Sequence, residues 1–183
     1  MRFEETQTPE IKIITPVKHS YHRGFCSEVY KLSEREKAGL IYNFIKDNHS
    51  YSSPAGTLRG LHFQIRINAQ NKLVPVLRGT IPDVVVDIRK SSPSFGQHVL
   101  VKLSAESWRQ LFIPIGFAHG FFTLQPDTEV PYKETAPYSS KAERVVACND
   151  PDLAISWPFT AGGFESLPER RALAQIARSD GYV

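Results

Sequence analysis

Beyond Gly56 the chain breaks into a succession of short β-rich runs, each closed off by glycine, proline or a polar turn. They fall at 58–64, 72–77, 81–88, 98–103, 110–113, 118–124, 129–134 and 144–147. Arg78-Gly79 ends one run, Arg89-Lys90-Ser91-Ser92-Pro93 another, and 110–113 runs directly into Pro114. Ser104-Ala105-Glu106-Ser107 reads as a tight turn or a single helical turn. Many short strands at this spacing, punctuated in this way, point to an all-β fold, closed or sandwiched and antiparallel.

The flanks fit the same reading. Residues 11–15, ending at Pro16, and 25–30 are expected as strands, with 19–24 as a polar loop between them. Ser33 followed by Glu36 has the spacing of a capping box and should open a short helix that stops near Gly39. Residues 41–46 read as strand, and Asp47-Asn48-His49-Ser50 as turn chemistry. In the tail, Leu173, Ile176 and Ala177 recur at helical spacing, so 168–178 is expected as a helix.

With 183 residues, 41% hydrophobic and 22% charged, the chain is expected to form one domain, 1–183, able to bury a core unaided. A net charge of +3, spread along the chain without a basic block, gives no footprint for nucleic acid or an anionic membrane. It suits a small anionic ligand better. Cys26 and Cys148 are too few for a disulfide framework. The acidic start, Met1-Arg2-Phe3-Glu4-Glu5, is not expected to act as a signal peptide, and no apolar run approaches the ~20 residues that span a bilayer. The expected compartment is the cytoplasm.

The chemistry concentrates in Arg59-Gly60-Leu61-His62-Phe63-Gln64. On a regular strand Arg59, Leu61 and Phe63 share one face, and Gly60, His62 and Gln64 the other. A bend or bulge at Gly60 would turn Arg59 and His62 toward one cavity. A half-buried strand with a solvated arginine and a hydrogen-bonded core histidine fits these residues as well. His119, in the glycine-flanked segment 116–120, is the second titratable candidate. Lys72 at the start of a strand can steady a developing oxyanion from inside a barrel, or simply extend to water. Tyr132 and Tyr138 can donate a proton or only pack. Phe63 and Gln64 follow His62, so no His-x-His pair is present and three metal ligands cannot be assembled.

Taken together these motifs resemble the dTDP-4-dehydrorhamnose 3,5-epimerase family. The match takes in Arg23-Gly24-Phe25, Asp47-Asn48-His49-Ser50, Leu58 through Gln64 and Lys72-Leu73-Val74. It continues through Ser92-Pro93-Ser94-Phe95-Gly96, Pro114 through Phe121, Tyr132-Lys133, Asn149-Asp150-Pro151 and Trp157-Pro158. The resemblance implies a cupin-type jelly roll (a double-stranded β-helix) with short peripheral helices. It further implies a homodimer whose N-terminal strand joins the partner's sheet, no metal or organic cofactor, and a nucleotide-diphosphate sugar as substrate.

By the same resemblance His62 is the base, Tyr132 the acid and Lys72 the cation at the enolate oxygen. Arg23, Glu28, Asn48, Arg59, His119, Tyr138 and Glu143 fall at substrate-binding positions. An acid is expected to orient the base histidine. An ungapped count from Trp157 gives Glu169 that role, with Asp83 as the other candidate. Pro168, Lys46, Cys26 and His19 depart from the family's usual residues, the first two where a lysine and a glutamine meet the ligand. The expected reaction is therefore epimerisation of a dTDP-4-keto-6-deoxyhexose at C3 and C5. Inversion of one centre only, another nucleotide-linked 4-keto sugar, and a non-catalytic sugar-nucleotide-binding protein are the alternatives.

Overall fold

Two antiparallel sheets face each other in the computed structural model, which describes residues 1–158. Glu169, Pro168 and the expected helix at 168–178 lie outside the described residues. The strands are β1 (Arg2–Glu5), β2 (Lys12–Thr15), β3 (Lys18–Tyr21), β4 (Gly24–Ser27), β5 (Lys46–Ser52), β6 (Leu58–Gln64) and β7 (Lys72–Pro75). They continue as β8 (Thr80–Asp87), β9 (His98–Ser104), β10 (Gln110–Ile113), β11 (Phe117–Phe122), β12 (Thr128–Glu134) and β13 (Glu143–Val145). One sheet has the order β1-β2-β10-β7-β12-β5 and the other β13-β6-β11-β8-β9, while β3 and β4 form a separate ribbon. This is the jelly roll expected from the sequence. One short helix, α1 (Leu32–Lys37), stands among the described residues, and no helix there is long and apolar enough to cross a membrane.

Strand alternation sorts the apolar residues into layers. Val74, Ile81, Val85, Val101, Leu111, Ile113, Phe121 and Val130 meet between the two sheets. The outer face of the five-stranded sheet carries Leu61, Phe63, Val84, Val86 and Phe122, covered by Leu153 and Trp157. The outer face of the six-stranded sheet carries Ile14, Leu73 and Phe112, covered by Tyr30, Leu40, Tyr42 and Phe44.

Several expectations change. Residues 47–50 are strand, not turn, because side chains at 47 and 48 find partners across the ladder to β12: Lys133 Nζ donates to Asp47 at 2.9 Å and Asn48 Nδ2 donates to Glu134 at 2.8 Å. Strand begins only at Lys46, so 41–45 is irregular chain. The expected loop at 19–24 is largely the β3–β4 hairpin, steadied where Lys18 Nζ lies 4.6 Å above Phe25 and 4.3 Å above Trp108; the strand after it ends at Ser27.

Ser33 is not an N-cap either. The helix starts two residues earlier, with Lys31 at the cap and no side-chain cap hydrogen bond. Its frame is set by Arg35, which is 1% exposed and packs its guanidinium against the rings of Tyr30, Phe44 and Phe112. Tertiary packing of that side chain outweighs a cap worth about 1 kcal/mol.

Candidate active site

A bulge at Gly60 gathers the polar residues of β6 on one wall. His62 lies opposite His119, and Arg59 lies opposite Phe121, so three steps along β6 match two along β11. Residues paired across strands point to the same side of a sheet, and the extra residue reverses the alternation. Arg59 and His62 thus share the inward face with His119 and Phe121. The turn is tied to glycine: Gly60 has φ +109° and presses on Gly120, where a Cβ would overlap the facing backbone. The expectation of a bend at Gly60 holds.

The five-stranded wall adds Asp83 from β8 and Glu143 from β13. His62 Nδ1 lies 3.4 Å from Glu143 Oε1, and Tyr138 donates its hydroxyl to Glu143 Oε2 at 2.8 Å. His119 Nε2 lies 2.8 Å from Asp83 Oδ1. Asp83 is fully buried, and burial pushes its carboxyl above the usual range against the opposing pull of His119 and Lys72. Asp83 therefore attends His119, not His62, in the contacts it makes. Arg59 is exposed at the mouth, donating to Ser52 Oγ at 3.1 Å and the Tyr51 carbonyl at 2.8 Å.

The six-stranded wall answers with Asn48 from β5, Lys72 from β7, and Tyr132 and Glu134 from β12. Tyr132 packs against the layer between the sheets. Burial raises its phenol above the ordinary value, Glu134 adds to that, and Arg59 opposes it. The group therefore keeps its proton at neutral pH, as a donor must. Burial pushes the Lys72 ammonium down, while Glu134 and Asp83 pull it back up. Among the described residues no group of three or more His, Cys, Asp or Glu side chains is placed to hold a metal ion.

Of the residues singled out in the sequence, the fold brings His62, Lys72, Tyr132, Asn48, Arg59, His119, Tyr138 and Glu143 around the space between the sheets. Arg23 and Glu28 are not brought there: Arg23 is exposed at the tip of the β3–β4 ribbon, and Glu28 follows β4 and pairs with Lys31 at 3.0 Å on the surface. Glu134 was missed. It stands two residues after Tyr132, so strand alternation alone puts it on the same inward face.

A base candidate on one wall faces an acid candidate on the other, with a cation beside them, and such a set can move protons next to a carbonyl. Residues 5–178 match the family described as dTDP-4-dehydrorhamnose 3,5-epimerase. The dTDP-4-dehydrorhamnose 3,5-epimerase of Salmonella typhimurium is 47% identical over 169 residues, covering 92% of this chain and 89% of its own. A crystal structure of dTDP-6-deoxy-D-glucose-3,5-epimerase from Legionella pneumophila, in complex with dTDP-4-keto-L-rhamnose, is 41% identical. It superposes with a TM-score of 0.90 over 96% of this chain and 94% of its own. The Bacillus anthracis dTDP-4-dehydrorhamnose 3,5-epimerase, with TDP and PPi bound, is 46% identical, with a TM-score of 0.85 over 87% and 91% of the two chains. The chain belongs to the dTDP-4-dehydrorhamnose 3,5-epimerase family.

Proposed function

We propose that this protein epimerises dTDP-4-dehydro-6-deoxy-D-glucose at C3 and C5 to give dTDP-4-dehydro-L-rhamnose. The observation that carries the reading is the placement of His62 and Tyr132 on opposing walls of one interior, with Lys72 between core and mouth. Hydrogens on C3 and C5 flank the C4 ketone, so removing either leaves an enolate. His62 takes the proton, and the electron pair of the C–H bond moves into the ring with negative charge gathering on O4. The Lys72 ammonium stabilises that charge where water is scarce. Tyr132 then delivers a proton to the carbon from the other face, which inverts the centre, and solvent restores the phenol.

Arg59 at the mouth suits the diphosphate, and Asn48, His119, Tyr138 and Glu143 suit the sugar and nucleoside. His119 donates to a sugar oxygen best when its ring is held, and Asp83 is in place to hold it. Glu169 supports His62 in this reading. Arg23 and Glu28, remote on their ribbon, fit a second copy of the chain: exposed Tyr21, Phe25, Val29 and Leu32 surround them and give a homodimer an apolar face. A sedimentation mass equal to one chain would remove that dimer.

The test of the function is product identity. With dTDP-4-dehydro-6-deoxy-D-glucose, reduction of the product and NMR of the sugar should give the L-rhamno configuration. A product inverted at one carbon only, or unchanged sugar, would overturn the reading.

A further inference from the structure

Glu134 stands directly opposite Lys46 on one side and Lys72 on the other, the middle rung of a row across β5, β12 and β7. It is 4% exposed. Its Oε1 lies 3.7 Å from Lys72 Nζ, and its Oε2 lies 2.5 Å from Lys46 Nζ and accepts from Asn48 Nδ2 at 2.8 Å. Two ammoniums thus share one buried carboxylate. Nothing in the packing of a barrel wall requires this, since apolar residues would fill the row at no cost in desolvation.

We propose that Glu134 is a positioning residue for Lys72 and that Lys46 is its counterweight. Together they fix where the Lys72 ammonium points and how firmly it keeps its proton. The proposal rests on the reading of Lys72 as the cation at the enolate oxygen. Lys46 holds Oε2 and leaves Oε1 toward Lys72, so Lys72 is aimed by one oxygen without being locked in a two-oxygen clamp. At 13% side-chain exposure against 28% for Lys46, Lys72 is the deeper of the two and the more sensitive to the local charge balance.

The groups that face Lys72 are few. Glu134 and Tyr132 come from β12, Lys46 from β5, Asp83 from β8 and His119 from β11. Arg59 and His62 of β6 and Glu143 of β13 close the opposite wall, and Ile113 of β10, paired with Lys72, brings no charge. Burial lowers the Lys72 ammonium, Glu134 and Asp83 raise it, and Lys46 lowers it. A reaction that needs the ammonium is fully active below the pKa of Lys72 and fails as pH rises through it. The alkaline edge of the rate profile should therefore respond to Glu134 and Lys46 in opposite senses.

The experiment is kcat against pH for the full chain and its variants on the dTDP-4-keto sugar. Glu134→Gln leaves two ammoniums without their carboxylate, so the alkaline edge should move down by about one pH unit or more. Lys46→Gln should move it up, and the double variant should fall between. The Lys46 variant also separates Lys72 from Tyr132, because Lys46 does not figure among the charges that shift the phenol. A lower kcat in both single variants with the edge unmoved would make the row merely structural and overturn the proposal. Should Glu134→Gln fail to fold, Lys46→Gln decides alone: an edge that rises supports the proposal, and one that stays or falls contradicts it. Wild type and Lys72→Met guard the underlying reading separately. Full turnover by Lys72→Met would remove Lys72 from the chemistry, whatever the other variants do.

Discussion

In the proposed reaction His62 and Tyr132 divide the proton traffic, and substitutions should separate their shares. His62→Ala is expected to lower both turnover and solvent exchange at the sugar by about 10²–10⁴-fold. Tyr132→Phe should lose inversion while retaining much of the exchange, because abstraction and return on the same face need no phenol. Equal loss of both in Tyr132→Phe would make that residue a binding group. Two carboxylates compete for support of the base. Glu143 lies 3.4 Å from His62 Nδ1, and Glu169, outside the described residues, is the support that the family resemblance implies. Comparing kcat with KM tells them apart: Glu169→Gln should lower kcat with stability nearly unchanged, and Glu143→Gln should chiefly raise KM. Normal turnover by Glu169→Gln would pass the supporting role to Glu143. The sequence singled out His62, Lys72 and Tyr132 through the family resemblance, since each residue alone also fits a structural reading. It concealed Glu134, whose meaning lies in cross-strand neighbours at 46 and 72, which no local pattern reveals.

The bulged strand β6 is the element on which the site turns. Gly60→Ala would force a Cβ into Gly120 at a positive φ, costing about 2 kcal/mol or more. Denaturant unfolding should show a lower midpoint at unchanged slope, with activity reduced beyond the loss of folded protein because Arg59 and His62 part company. Wild-type stability in Gly60→Ala would contradict the account of the bulge. Glycine made this bend legible in the sequence, as glycine and proline made the strand ends legible. Elements decided by distant partners were less so. Residues 47–50 carry turn chemistry and yet form strand because β12 supplies Lys133 and Glu134. Helix α1 takes its frame from Arg35 beneath it and not from the Ser33–Glu36 spacing.

The molecule as a whole is two sheets holding a charged interior above an apolar layer. Short β-rich runs closed by glycine, proline or polar turns made that architecture readable; alternation could not, since β8, β10 and β11 are buried throughout most of their length and β5, whose burial alternates, carries turn chemistry. What the chain does with the interior comes down to whether carbon-bound hydrogens at C3 and C5 are exchanged on opposite faces of one sugar. Reaction in D2O, followed by NMR or mass analysis of the sugar, measures that directly. The account expects deuterium at both C3 and C5 of the product, with the label at each carbon on the face opposite the hydrogen lost. Product without solvent deuterium, or with deuterium at one carbon only, would contradict it.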